Sequence, residues 1–227
     1  MRHFHNKWEI GDIGILMHFR YNGATIRSKA ATLQSKRLYP RGKQVIEDLE
    51  IDYRIGFGRL SDPEDAKVPL YHATKFEFDL ECKYGALEAH SEQMKAIEQY
   101  GEMSKIPVFY QFYNPLILPF TQEVPLISDA CSHPLKFGTR VVPAVTVHEK
   151  LSTKAKNYSP SVADLGGTKG RAFGWSLEHF VADLMLRCKE GYIYEDIRDE
   201  EIFNLFNRRS GAIAAAFAVV IEPPGSR

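Results

Sequence analysis

Three polar side chains near the start of the sequence have the types and spacing for phosphate chemistry. Gln34 and Lys36 lie two residues apart, so in a strand, where side chains alternate, they point to the same face. Asp12 stands upstream of them, at the start of an apolar run. A carboxylate, an amide and an ammonium together can hold a divalent cation and a water against a phosphate. The same residues also fit an ordinary solvated strand edge, and both interpretations stay open at this point.

A hairpin is predicted to bring these residues together. Ile13 to Phe19 has the length and branching of a buried strand, Asn22-Gly23 is a strong turn signal, and Thr25 to Lys36 reads as the returning strand. A two-residue turn with an unbroken ladder would pair residue 12 with residue 33 and turn Asp12 away from Gln34. The phosphate interpretation therefore requires a three-residue loop with Gly23 left-handed and a bulge, or another irregularity in the first strand.

The composition is that of an ordinary soluble globular protein. The chain has 227 residues, of which 44% are hydrophobic and 26% charged. Its 29 basic and 29 acidic residues cancel, so no general attraction to nucleic acid is expected and any such surface must be local. Three scattered cysteines, Cys82, Cys131 and Cys188, argue for a reducing compartment. The apolar runs are too short for a membrane span, so we expect a cytoplasmic protein without a membrane partner.

Further along the chain, strand and helix patterns alternate, and they predict one α/β domain over residues 1–227 with a mixed central sheet and flanking helices. A strand, a helix and a strand in succession suggest a parallel crossover. The predicted elements are strands at Lys75–Tyr84, Ile106–Tyr113 and Thr139–Val147, helices at Ser91–Ser104, Trp175–Lys189 and Glu200–Asn207, and a buried strand or core helix at Ala212–Ile221. Residues 41–69 are predicted to be an insertion with a short helix around Lys43–Leu49, and Lys150–Arg171 a surface loop, with anion binding as the alternative.

An acidic residue on one strand, followed by (E/Q)xK on the paired strand, resembles the PD-(D/E)xK phosphodiesterase superfamily, the fold of many restriction and repair nucleases. Here 21 residues separate Asp12, within GDIG, from Gln34-Ser35-Lys36. Glutamine in place of the usual glutamate is similar to the Mrr-like branch. The wider pattern of LQSKRLYP, YGAL, a helix opening with EQ, and VFYQFYNP looks like prokaryotic families with a QAKR-type strand. The resemblance covers residues 9–115 and implies a restriction-endonuclease-like core, with residues 116–227 as a C-terminal elaboration.

The resemblance implies a role for each of these residues. Asp12 and Gln34 would hold Mg²⁺ or Mn²⁺, and Glu9 would compensate for the carboxylate that Gln34 lacks. Lys36 would orient or deprotonate the attacking water, and Gln93 would support that lysine or a phosphate from the first turn of its helix. The implied function is metal-dependent cleavage of nucleic acid, with DNA as the substrate and prokaryotic defence as the setting.

Two alternatives stay open. The first is a catalytically inactive module with the same fold that binds nucleic acid or a partner protein, favoured by the neutral net charge and the missing second carboxylate. The second is another register, in which Glu81-Cys82-Lys83 is the ExK, Asp79 shares its face, and Gln93 and Tyr100 follow on a helix as in RecB-like nucleases. Alternation along that strand also explains these polar residues as its outer face. The oligomeric state is open, a dimer included.

Overall fold

A mixed sheet flanked by helices forms the centre of the α/β fold in the computed structural model, which describes residues 10–41, 74–124, 137–170, 173–196, 198–206 and 213–222. The strands are β1 Gly11–Tyr21, β2 Ala24–Arg37, β3 Thr74–Phe78, β4 Val108–Pro115, β5 Phe120–Val124, β6 Phe137–Pro143, β7 Trp175–Ser176, β8 Tyr192–Tyr194 and β9 Ile213–Ile221. The helices are α1 Glu92–Met103, α2 Ala144–Leu151, α3 Leu177–His179, which continues as a π-helix over Phe180–Met185, and α4 Glu200–Phe206.

Strand β2 is the centre of the sheet, whose order is β7-β6-β4-β2-β1-β9. Its 14 residues allow β1 to pair along one edge, while β4 and β8 share the other edge. The pairs β2–β4 and β1–β9 are parallel, and the remaining pairs are antiparallel. The prediction of a mixed central sheet with flanking helices is confirmed.

Alternating side chains divide the core between the two faces of the sheet. On one face, which we call the α1 face, Tyr110 and Phe112 pack with Met94 of α1 and Val147 of α2. The opposite face, the π-helix face, buries Ile15, Leu33 and Phe109 against Phe180. Even-numbered residues of β2 and β4 therefore lie on the α1 face, and Gln34 and Lys36 are among them.

The predicted strand Lys75–Tyr84 is half as long as expected. It ends at Phe78 because the carboxylate of Asp79 accepts hydrogen bonds from the backbone N–H groups of Glu81 and Cys82, which turns the chain. It also lies outside the main sheet, since β3 pairs only with β5 in the described part of the chain. The parallel partner of β4 is β2, so α1 belongs to a β2–α1–β4 crossover.

The predicted strand Thr139–Val147 becomes a helix in its second half. Strand β6 ends at Pro143, and α2 follows at once with Ala144, Val147 and Leu151 buried at helical spacing. The proline has no backbone N–H to contribute to the sheet and a φ of −55°, which suits the residue before a helix. Residues 152–170 form a loop, as predicted, but not one confined to the surface, since Val162 and Leu165 are buried in the core and backbone hydrogen bonds join the loop to the segment around Tyr84.

The predicted helix Trp175–Lys189 is broken into three pieces. Its first residue, Trp175, pairs with Val141 as β7, a short α-helix follows, and the rest is a π-helix. At the end of the π-helix, the backbone carbonyl of Met185 accepts a hydrogen bond from the ammonium of Lys29, a residue of β2. Sheet pairing and this buried lysine therefore override the helical period of the sequence.

Within the apolar segment Ala212–Ile221, residues Ile213–Ile221 form a strand, β9, but the expectation that the segment is buried is wrong. It forms the edge of the sheet, and most of its side chains are exposed. Helix Glu200–Phe206 and helix Glu92–Met103 agree with prediction, the latter beginning at Ser91, whose hydroxyl accepts from the Met94 N–H. The predicted helix Lys43–Leu49 lies outside the described residues. No helix of the described part is long and apolar enough to cross a membrane.

Candidate functional site

The β1–β2 hairpin places Asp12 opposite Gln34. The turn has two residues, Asn22 and Gly23, both with positive φ, and not the three-residue loop that we expected. Arg20 pairs with Thr25 and Phe19 with Arg27, so the extra residue is Ile26, in the second strand. From this bulge onward the register is shifted by one, through Ile13 opposite Leu33. The shift that the site requires is therefore present, but a bulge in β2 produces it.

The carboxylate of Asp12 is bound by two donors of β2. Its Oδ2 accepts from Gln34 Nε2 at 2.7 Å and from the backbone N–H of Ser35 at 2.5 Å. Gln34 is 3% exposed, and because its amide nitrogen faces Asp12, its Oε1 points elsewhere. That oxygen is buried and has no hydrogen-bond partner. A buried carbonyl oxygen without a donor is costly, which makes Gln34 Oε1, like the buried Asn114 Oδ1, a candidate contact for a ligand or a water.

Asp12 and Gln34 carry oxygen atoms of the type that a hard divalent cation binds. Mg²⁺ and Mn²⁺ prefer oxygen donors, and Mg²⁺ in particular is commonly held by one or two protein oxygens while it keeps several waters. Gln34 turns its amide nitrogen toward Asp12, so its oxygen would join the carboxylate on a cation only after the amide flips. Within the residues that the structure describes, no group of three or more His, Cys, Asp or Glu side chains is placed to hold a metal. Glu9, the expected additional ligand, lies outside the described residues.

Lys36 and Gln93 form a second polar pair on the α1 face. Lys36 is 2% exposed, and its ammonium donates to Gln93 Oε1 at 2.7 Å and to the backbone carbonyl of Ala86 at 2.8 Å. Gln93 is buried in the first turn of α1, where the Ser91 cap fixes the start of the helix. The structure thus brings Gln93 to the lysine, as the sequence suggested. The acceptor at Ala86 is a backbone carbonyl, which no side-chain pattern in the sequence indicates, so it was not predicted.

Both pairs lie toward the carboxyl ends of the parallel strands β2 and β4, the usual position of ligand sites in open α/β sheets. Strand β4 adds Asn114, which is 1% exposed and whose Oδ1 is a second buried oxygen without a partner. On the opposite face, Ser35 Oγ donates to Gln111 Oε1 at 3.4 Å. Asn114 follows the predicted strand Ile106–Tyr113, because the Asn114-Pro115 pair signals a strand end, but β4 runs through Pro115.

A chain of hydrogen bonds runs beside Gln34 from the buried Tyr110 to the half-exposed Glu98. Tyr110, its register partner on β4, has its hydroxyl 3.0 Å from His148 Nε2, and His148 Nδ1 lies 3.3 Å from Glu98 Oε1. Burial lowers the pKa of His148 to about 4, so the imidazole is neutral at pH 7. A neutral imidazole can donate to Glu98 and accept from Tyr110, which satisfies all three groups.

The alternative ExK register is not built on a strand. Glu81 lies in the turn after Asp79, and Lys83 stacks over the Tyr158 ring, with Nζ 5.3 Å from its centroid. Burial alone would raise the pKa of Asp79, but hydrogen bonds from the Glu81 N–H, Arg41 and Cys82 outweigh it and lower that pKa. These residues line an open cleft of about 520 Å³ with Tyr39 and Asn157. Glu81 and Lys83 therefore do not lie on one face of a strand, as this register would require.

Comparison with known proteins gives no match, whether to a family model, to a curated protein or to a solved structure. Function therefore has to be inferred from the residues and their geometry.

Proposed function

We propose that the protein is a metal-dependent phosphodiesterase that cleaves nucleic acid, with DNA as the substrate that the resemblance implies. The observation that carries the proposal is the pair formed by Asp12 and Gln34. The carboxylate of Asp12 and the amide nitrogen of Gln34 face each other across a hairpin, the amide oxygen of Gln34 is buried without a partner, and Lys36 lies two residues further on the same face of the same strand. The order of an acidic strand and a paired QxK strand is the one on which the resemblance rests.

In this proposal each residue has one task. Asp12 and Gln34 would hold Mg²⁺ or Mn²⁺, which supplies Lewis acidity toward a phosphate oxygen when bound. Lys36 would orient the attacking water and offset the negative charge that develops on phosphorus. Gln93 and the Ala86 carbonyl would hold the ammonium at a fixed position, so that little reorganisation is needed during the reaction.

Cleavage of a labelled duplex with Mg²⁺ or Mn²⁺ tests the proposal. We expect cleavage by the native protein and a loss of at least about 100-fold in Asp12→Asn and Lys36→Met, because each removes a charge from the transition state. Lys83→Met is the matched control, since it removes the lysine of the other register and should leave the rate unchanged. Cleavage that survives Lys36→Met would refute the assignment, as would the absence of cleavage by the folded native protein with either cation.

One observation favours a second function, an inactive module of the same fold that binds nucleic acid or a partner protein. Lys36 is almost fully buried, and two acceptors hold its ammonium as they would hold a structural lysine. Binding of a labelled duplex in EDTA, followed by fluorescence anisotropy, separates the two functions. Salt-sensitive binding without cleavage in Mn²⁺ is the result expected of the module.

A further inference from the structure

Strand β9 is an apolar strand on the surface of the sheet. Its sequence, IAAAFAVVI from Ile213 to Ile221, contains no charged or polar side chain. Phe217 is 48% exposed, Val219 38% and Val220 55%. Proteins rarely leave a contiguous apolar strand of this length in water without a partner for it.

The backbone of β9 is also half unpaired. One edge forms a parallel ladder with β1, from Gly11 opposite Ile213 to Phe19 opposite Ile221, and no described strand pairs with the other edge. Natural edge strands are normally protected by a lysine, a proline, a bulge or a short length. This strand has nine residues, no charge, no proline and an unbroken register over Ile13–Phe19 of β1. Among the residues that the structure describes, its second edge is therefore open to another strand.

We propose that the free edge of β9 pairs with β9 of a second copy of this chain, antiparallel, around a two-fold axis at Phe217. Phe217 is the central residue of the strand, with four residues on each side. In that register Phe217 meets its own copy, and Ala215 and Ala214 lie opposite the partner's Val219 and Val220. Small residues thus face larger ones, as close packing across the strands requires. Such a contact is self-complementary and closed, so it stops at a dimer.

The exposed side chains of β9 form a contiguous apolar surface beside the half-exposed Phe203 of the neighbouring helix α4. Strand side chains stand on the two faces of the sheet, so pairing of the edges covers their flanks and the unpaired backbone and joins the apolar surfaces of the two copies. No like charges oppose each other along the strand. The result is one continuous sheet, with both Asp12–Gln34 pairs on the same face.

The test is the mass of the full chain in solution, measured by sedimentation equilibrium. We expect twice the chain mass of 25.9 kDa at tens of micromolar protein. Phe217→Lys should raise the dimer dissociation constant by about 100-fold, because two lysines would meet at the axis and two rings would leave the interface. Met103→Lys, an equally apolar-to-charged change at a 78% exposed site on α1, is the matched control and should leave the dimer intact.

A second variant keeps the test decisive if Phe217→Lys does not fold. Phe217→Cys should form a disulfide-linked dimer under mild oxidation, because residues opposite each other in an antiparallel pair have Cβ atoms about 4.5–5.5 Å apart. Met103→Cys should give no more linked dimer than the native chain. A native protein that is monomeric at about 100 μM would overturn the proposal. So would a dimer that persists in Phe217→Lys without cross-linking through Phe217→Cys, or a series of growing oligomers. The inference is independent of the proposed phosphodiesterase chemistry.

Discussion

Replacing Gln34 with glutamate tests the cation site without relying on catalysis. In the native protein, Gln34 Nε2 donates to Asp12 Oδ2 at 2.7 Å. Glutamate would set two carboxylates against each other at that distance, in a position where the side chain is almost fully buried. Two like charges about 4 Å apart repel by about 4 kcal/mol at an effective dielectric constant near 20. The lost hydrogen bond to a charged acceptor adds about 1.5–3 kcal/mol.

Protonation limits this cost and gives it a pH dependence. The variant can share one proton between the two carboxylates, which at pH 7 costs about 3.7 kcal/mol relative to a glutamate with a pKa of about 4.3. The folded state then binds more protons than the unfolded state, so its stability falls as the pH rises above about 4.3. In EDTA, Gln34→Glu should therefore lose about 3–4 kcal/mol at pH 7 and about 1 kcal/mol at pH 5. For a chain of this size, the pH 7 loss lowers Tm by about 10 °C.

A bound divalent cation should reverse the effect. Two carboxylates bind Mn²⁺ or Mg²⁺ more strongly than one carboxylate and an amide, so millimolar cation should restore most of the lost Tm at pH 7. Gln34→Leu is the control, because it removes the same hydrogen bond and the amide oxygen but adds no charge. Melting curves by circular dichroism, recorded in EDTA and in Mn²⁺, measure the Tm of both variants. If Gln34→Glu is as stable as the native protein in EDTA at pH 7, or if Mn²⁺ restores Gln34→Leu equally well, our assignment of the site is wrong.

Three further predictions concern the framework around the site. Burial lowers the pKa of His148 to about 4, so the contribution of this residue to stability is complete above about pH 6.5 and declines as the pH falls toward 4. In urea unfolding at pH 7 and pH 4.5, His148→Gln should therefore lose less unfolding free energy with acid than the native protein does. Equal losses would contradict this. Lys29→Met should cost about 2–4 kcal/mol in the same assay, because the buried ammonium donates to two backbone carbonyls at the end of the π-helix, and a loss below about 1 kcal/mol would contradict it. Gly11→Ala should lower Tm and abolish its dependence on Mn²⁺, since the added Cβ would overlap Thr32 and push β1 away from β2. Gly101→Ala, which lies in α1 and meets nothing within 4 Å, should raise Tm slightly and leave its dependence on Mn²⁺ unchanged.

Local signals were sufficient for the elements that position the site. Asn22-Gly23 predicts the hairpin, and Ser91 predicts the start of α1, because turn and cap chemistry depend on a few neighbouring residues. The need for a register shift could also be stated in advance, since the face of each side chain follows from counting residues. The location of the shift could not, because Ile26 differs in no obvious way from the other apolar residues of β2.

Errors arose where a distant part of the chain decides the local structure. The period of Trp175–Lys189 is helical, but pairing of Trp175 with β6 and the reach of Lys29 from β2 change its first and last turns. The apolar run Ala212–Ile221 indicated burial, because hydrophobicity alone does not distinguish a strand at the centre of a sheet from an exposed strand at its edge. Likewise, the alternation of Lys75–Tyr84 continues past Phe78, although the Asp79 turn ends the strand.

The two candidate functions differ in what they require of Lys36. In a binding module, the hydrogen bonds from its ammonium to Gln93 and the Ala86 carbonyl only stabilise the fold, and a neutral polar residue of similar size could make them. In a phosphodiesterase, the same bonds hold the charge on the face of β2 that also carries Gln34, and that charge is what the transition state would use. A buried ammonium is costly unless acceptors hold it, and Lys29 shows that backbone carbonyls alone can do so in this protein. Lys36 meets the same condition through Gln93 and the Ala86 carbonyl, so the two functions are separated by cleavage in Mn²⁺ and its loss in Lys36→Met, and not by the burial of the lysine.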